Sequence, residues 1–269
     1  MTIAEDRKKR QARLEQRSRK LFDIYNKLTG EPVGRLGREA FQSFGDLSDF
    51  IWKTPRFLES EMKLEAKKLN DYFPITGSAE VKKCNRKMRK HRFALEFTKV
   101  MLTFPRHMAV GNFFAAVSLY EAYCLALAYE IEKLTANPLE GLRGQGITKL
   151  FKYFSVAKIQ WQAALDAEQV NAILKIRNCL SHANGILKWS RDSISVSQTV
   201  TSRSFLPKEV RKGLSQSDEA FQRVKIVEGA MGKQVLITNG YAHIATEYLR
   251  NHFVDLCHRT EERLALSKT

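Results

Sequence analysis

The chain has 269 residues, 43% of them hydrophobic, with 14 glycines and 6 prolines; this composition belongs to a folded globular protein with room for a sizeable core and excludes a disordered or collagen-like chain. Lys and Arg number 45 against 29 Asp and Glu, a formal charge of +16. Such a charge favours polyanionic partners: nucleic acid first and an anionic membrane surface second, with solubility alone as the bland alternative.

In chain order, the opening MTIAEDRKKRQARLEQ is basic and lacks the apolar h-region of a signal peptide. Residues 4–29 combine good helix formers with no breaker, and Leu14, Leu21, Ile24 and Leu28 make one apolar stripe on a charged helix. GEPVGRLG, residues 30–37, reads as a linker, and residues 57–72 as a shorter amphipathic helix ending at Tyr72-Phe73-Pro74. Residues 79–103 predict another long helix, ended or kinked by Pro105. Its front half, KKCNRKMRKHR, holds seven Lys/Arg and no acid between residues 82 and 92. Such a run is either a solvated face or a surface that contacts phosphate without reading sequence. On the second reading Lys82, Lys83, Arg86, Lys87, Arg89, Lys90 and Arg92 bind RNA, His91 is a marginal addition, and the basic N-terminal helix is the next candidate.

FFAAVSLYEAYCLALAY, residues 113–129, is the most apolar stretch. It falls short of the roughly 20 residues a membrane span needs and carries Glu121 at its middle. It therefore predicts a helix buried on nearly all sides of a soluble core, reaching about Leu134, with no membrane involved. TANPLEGLRGQG (135–146) is a loop and ITKLFKYF (147–154) a short amphipathic helix. Asp166 with Gln169 signals a capping box and a helix start near Ala167; Asn184-Gly185 supplies a left-handed stop. Beyond Leu187, SISVSQTV (193–200), RVKIVE (223–228) and KQVLIT (233–238) alternate and predict short antiparallel strands, the last two joined by EGAMGK. Asn239 is set to cap a final helix, roughly 240–265, that buries Tyr241, Ile244, Tyr248, Phe253 and Leu256.

Candidate chemistry concentrates in KIRNCLSHANG, residues 175–185. On a helical wheel Ile173, Ile176, Leu180, Ala183 and Leu187 share one narrow stripe that should face the core, while Arg177, Asn178, Ser181 and His182 fall within an arc of about 140° on the other side. Val170 and Leu174 lie on that outward side too, which marks them as a partner surface. Arg offers a planar fork of donors for phosphate oxygens, and His can transfer protons near neutral pH. Together they suit cleavage of RNA, whose 2′-OH is the internal nucleophile; no Asp/Glu cluster lies in the motif, so no metal is expected there. The bland alternative is an ordinary solvated helix face. Glu121 needs a partner, either a structural bond to a nearby Lys, Arg or backbone group or an orienting contact with Arg177, and Ser118 one turn away would share its pocket. Cys84, Cys124, Cys179 and Cys257 are scattered, and His107, His243, His252 and His258 are isolated. None has metal-ligand spacing, so a reducing cytoplasm is expected, and no cofactor. Trp161 reads as core or interface before a base-stacking platform.

Arg-Asn-Cys-Leu-Ser-His, residues 177–182, resembles the Arg–(four to six residues)–His motif of HEPN-domain ribonucleases, in which Asn often follows the Arg directly. The setting resembles theirs as well: a long apolar helix with an acid (SLYEAYCLALAYE), a short KLFKYF helix, then the motif helix with its Gly stop, over residues 106–190. The resemblance implies a helical bundle that pairs so that two motif helices build one composite cleft. It implies metal-free RNA cleavage to a cyclic phosphate and a 5′-hydroxyl, with Arg177 and His182 catalytic and Asn178 a polar helper, supported by Glu121, Ser181 and Ser118. Many such enzymes are toxins or antiviral defence effectors, so an antitoxin or other defence-system protein joins RNA and a homodimer as the expected partners. One departure is Asn184, which stands where antitoxin-modified members carry Tyr. The expected architecture is mainly α: an N-terminal basic helical extension over 1–104, then a HEPN-like helical domain over 105–269 with short strands at about 193–238 and a C-terminal helix. The alternatives are a catalytically inactive HEPN-like module that binds RNA or protein, and a DNA-binding regulator, for which no helix-turn-helix signal is found.

Overall fold

A computed structural model describes residues 3–135, 138–211 and 218–266, and the chain is mainly helical with one small two-stranded antiparallel sheet. The first helix, α1 (Ile3–Lys27), buries Leu21 and Ile24, and Leu28 follows them into the core; the Leu14 side chain of the predicted stripe lies outside the described residues. The predicted linker is instead the start of α2 (Pro32–Tyr72), with Pro32 in its first turn. Gly34 and Gly37 serve close packing and not a turn. A Cβ on Gly34 would stand 2.5 Å from Glu261 Oε1, and one on Gly37 would stand 3.1 Å from Cys257 Cβ. Pro55, inside α2, cannot donate to the carbonyl of Ile51. That carbonyl accepts instead from Thr54 Oγ1 at 2.8 Å and from Asn239 Nδ2 at 2.7 Å, so the helix continues. The predicted helix at 57–72 is therefore the second half of one helix.

Every buried residue of α2 lies before Pro55. Beyond it, α2 runs out from the body, turns at 73–78 and returns as α3 (Ala79–Thr98), which has no buried residue. Ser78 caps α3, accepting from Val81 N. A π-helical turn (Lys99–Thr103) then leads into α4 (Phe104–Thr135), with Phe104 N–H reaching back five residues to Lys99 O. The wider turn accommodates Pro105, whose ring and missing N–H would break an α-helical ladder. The chain thus stays helical from Ala79 to Thr135, and the boundary expected between 104 and 105 falls inside this run. Leu21, Ile24, Ala40, Phe44 and Ile51 share one core with Phe113, Tyr120 and Leu127 of α4, so residues before 55 belong to the body.

α4 is not buried on all sides as expected. Phe113, Ala116, Val117, Tyr120, Cys124 and Leu127 face the core, while Ala115, Ser118, Ala122, Leu125 and Tyr129 form an exposed stripe. α5 (Gly146–Val156) and a short turn at Trp161–Ala163 lead to α6 (Ala167–Ala183), the motif helix. α6 begins where expected but by another device: Asp166 is left-handed (φ 61°) and makes no capping bond. Its carboxylate pairs with Arg17 and accepts from Asn251 Nδ2, while Gln169 Nε2 donates to Ser204 O and Leu206 O. At the other end Asn184 (φ 48°) and Gly185 (φ 77°) stop the helix, in agreement with the Asn-Gly signal.

SISVSQTV is helix, α7 (Ser193–Thr201), not strand. Its alternation competes with Val196, Thr199 and Val200 at helical spacing, and these three are the residues buried. α8 (Lys208–Arg211) and α9 (Glu219–Gln222) are single turns. β1 (Val224–Gly229) and β2 (Gly232–Ile237) pair as expected, Val224 opposite Ile237 and Gly229 opposite Gly232 around a two-residue turn. The hairpin docks on the end of the motif helix: Val235 N donates to Gly185 O at 2.8 Å, and a Cβ on Gly185 would stand 2.8 Å from Val235 O. α10 (Asn239–Leu266) packs on α2, α4 and α1, burying Tyr241, Tyr248, Phe253 and Leu256 but leaving Ile244 half-buried. Asn239 does not cap it. Thr238 Oγ1 accepts from Tyr241 N, and Asn239 spends its amide on Ile51 and Asn112.

Candidate functional site

The motif helix presents its polar strip outward. Ile173, Ile176, Leu180, Ala183 and Leu187 are buried; Asn178, Ser181 and His182 are exposed, and Arg177 is half-buried. Arg177 Nη2 donates to both carboxylate oxygens of Glu121 at 3.1 Å, and Nη1 donates to Asn178 Oδ1 at 3.1 Å. The apolar helix thereby fixes the motif arginine through the one acid at its middle. Arginine has five N–H donors; Nε–H and the second hydrogen on Nη1 keep no partner among the described residues. The side chains of the pair are 28% and 24% exposed, so the guanidinium is anchored yet reachable from solvent.

The side chains of His182 and Ser181 make no hydrogen bond among the described residues. Ser118 is exposed on α4, three residues before Glu121, and likewise makes none. Arg177, Asn178 and Glu121 are thus joined by direct bonds, whereas His182, Ser181 and Ser118 are only brought to the same side of the molecule. Val170 and Leu174 are not a partner surface. They are 1% and 9% exposed and belong to the chain's own core. α5 and the Trp161 turn cover this second apolar side of α6 at Leu174, which shares a cavity wall with Ile147, Phe151 and Trp161.

The basic run lies on α3, along the projecting arm. Lys82, Lys83, Arg86, Lys87, Lys90 and Arg92 are exposed, as is His91. Arg89 does structural work instead. Its Nε donates to Phe73 O at 2.6 Å and its Nη1 to Asn70 Oδ1 at 2.7 Å, which ties α3 to the end of α2. At 1.5 Å per residue Lys90 stands about 20 Å along the helix from Thr103. The root of the arm, Thr103, Arg106 and His107, lines a cavity with Leu180 and Asn184 at the end of the motif helix. The arm therefore extends from the motif's own edge.

Sequence reasoning passed over Asn171 and Lys175. Both are exposed and precede Asn178 at spacings of seven and three, so the helical period that grouped Arg177 with Asn178 also places them on that side. Trp161 stacks on Phe151 with centroids 4.1 Å apart and planes 11° off parallel. Among the other histidines, His252 is buried, accepting from Tyr120 Oη at Nδ1 and facing Trp161 O with Nε2; burial pushes it down to about 4. His258 lies 3.5 Å from Glu262. Among the described residues no group of three or more His, Cys, Asp or Glu is arranged to hold a metal ion, and the four cysteines are free. Compared with known proteins, the chain matches no family model, no curated protein sequence and no solved structure.

Proposed function

We propose that this chain is a metal-independent endoribonuclease of the HEPN type, built on a HEPN-like helical bundle and acting as a homodimer, with a role as a toxin or antiviral defence effector. The observation that carries the reading is the Glu121–Arg177–Asn178 chain of hydrogen bonds beside an exposed His182. In this mechanism Arg177 holds the scissile phosphate with its uncommitted N–H groups and offsets the charge that grows on the phosphoryl oxygens. His182 takes the proton of the ribose 2′-OH as the 2′-oxygen attacks phosphorus. The 5′-oxygen leaves and takes a proton from water while His182 returns the 2′-OH proton to solvent, giving a 2′,3′-cyclic phosphate and a 5′-hydroxyl. Glu121 acts through Arg177 as a positioning residue. With Val170 and Leu174 committed to the core, Ala122, Leu125 and Tyr129, exposed on α4 beside Glu121, offer an apolar surface to a second copy.

The test incubates purified protein with RNA in EDTA. The reading expects cleavage with cyclic-phosphate ends, abolished in Arg177→Ala and His182→Ala while circular dichroism is unchanged. Glu121→Gln, which keeps the shape and loses the charge, lowers kcat and leaves the fold intact. RNA binding without cleavage at any protein concentration replaces the enzyme with a binding module. A monomer at micromolar concentration, with and without RNA, removes the composite cleft.

A further inference from the structure

Two cavities open on either side of α5 and share Ile147 as a wall, but they differ in charge. The one toward α4, about 460 Å³, is lined by Glu121, Glu132 and Glu140 against a single lysine, Lys149. The one toward α6, about 330 Å³, carries Lys152 and Lys175 and no carboxylate in its lining. A polyanion is repelled by the first and drawn to the second.

The second cavity has an apolar, aromatic floor and a polar rim. Phe151 and Leu174 are buried, and Trp161 lies stacked on Phe151 with its Nε1 donating to Ser155 Oγ at 3.0 Å. Trp161 is half-buried and lines the cavity together with Phe151. Lys152, Asn171, Lys175 and Asn178 are all exposed around it. Asn178 closes the row and is the residue that accepts from Arg177, so the cavity opens directly into the motif. Its volume lies at the lower end of the range for small-molecule sites, about 300 to 1,000 Å³, which suits one flat ring and not a dinucleotide. An inorganic phosphate would leave the aromatic floor unused, and an apolar ligand would leave the two ammonium groups and two amides unused. A nucleobase on a phosphodiester chain uses all of them. The ring stacks on the floor, an amide offers both donor and acceptor to a base edge, and lysines hold flanking phosphates.

We infer that this cavity is a subsite for one base of single-stranded RNA, adjacent to the phosphodiester held at Arg177, and that Asn171 and Asn178 set its base preference. The inference rests on the reading of RNA as the substrate. It is tested by equilibrium binding of short single-stranded homopolymer RNAs to the full chain in a His182→Ala background, which removes turnover. Lys152→Glu with Lys175→Glu, both at exposed positions, weakens binding at least 10-fold, and Asn171→Ala changes the affinity order among the homopolymers. Trp161→Leu lowers affinity roughly 10- to 100-fold, the scale of one lost stacking contact; the two exposed-site variants decide the matter if this one unfolds. Unchanged affinity and unchanged base order in the lysine and Asn171 variants overturn the subsite, even where the wild-type chain cleaves RNA. The expected losses in a chain that never cleaves keep the subsite and remove the nuclease. Absence of RNA binding overturns both.

Discussion

The buried His252 makes stability depend on pH in a calculable way. Its Nε2 lies 3.1 Å from Trp161 O and must carry the hydrogen there, so Nδ1 is the lone pair that accepts from Tyr120 Oη at 2.9 Å. This is a neutral ring with both nitrogens satisfied. Burial is the main cause that pushes its pKa down to about 4; the Trp161 carbonyl opposes this, and Arg259 adds to it. An unfolded His titrates near 6.5. The folded value is the lower one, so the unfolded chain binds more protons between the two, and stability rises with pH across that window. The contribution is fully present above about pH 6.5 and is lost as the pH falls toward 4. Integrating between about pH 7.5 and pH 5 gives a loss of about 2 kcal/mol from this one group. Guanidinium unfolding at the two pH values measures it, with two-state behaviour checked by coincident probes. His252→Gln cannot titrate, and its stability should fall by about 2 kcal/mol less than that of the wild-type chain over the same interval. His243, which burial also pushes down, is common to both chains and cancels. Equal pH dependence in the two proteins would show that His252 is protonated in the fold or wet, and would refute the argument.

Four further outcomes follow from the packing. Gly34→Ala should lower stability by about 2 kcal/mol despite a helix-propensity gain of about 1 kcal/mol, because the new Cβ meets Glu261 Oε1 and Thr29 N at 2.5 and 2.7 Å. Gly45→Ala, in the same helix with nothing within 4 Å, should raise it by about 0.5–1 kcal/mol, and thermal melts of the two variants give the sign of each directly. Asn239→Ala strips Ile51 O of its 2.7 Å donor and Asn112 Nδ2 of its 2.7 Å acceptor; urea midpoints should report a loss of about 2–3 kcal/mol. Of the four free cysteines only Cys84 is exposed, so a thiol reagent should label one group rapidly in the native chain and all four in denaturant, and fast labelling of a second would mean that α4, α6 or α10 opens readily.

Much of the architecture is legible in the sequence wherever apolar period and terminators agree. α1, α5, α6, the hairpin and α10 all combine a clear period with Gly, Pro or Asn signals at their ends, and their expected and observed bounds agree within a few residues. The departures share a physical cause: the same residue type does different work when another element lies close. Gly34 and Gly37 resemble linker glycines but make room for α10. Pro55 and Pro105 resemble helix ends, yet Asn239 reaches the freed Ile51 carbonyl, and a π turn widens the ladder ahead of Pro105. The alternation of 193–200 loses to burial of Val196, Thr199 and Val200. Glu261, Cys257 and Asn239 are all far away in sequence from the glycines and the proline they meet, so no local pattern announces them.

The candidate site divides along the same line. That Arg177, Asn178 and His182 point outward follows from the period of one helix and holds. That Glu121 orients Arg177 needs only the rule that a half-buried carboxylate finds a cation, and the nearest turn of a neighbouring helix supplies it. Val170 and Leu174 lie beyond such reasoning. A helical wheel finds two apolar sides on this helix but cannot say whether the second is covered by another protomer or by the chain itself. Here α5 and the Trp161 turn cover it at Leu174. That covering is what turns an apolar stripe into a walled cavity with Lys152 and Lys175 at its mouth. The surface lost as an interface is therefore the one that gives the motif a neighbouring pocket.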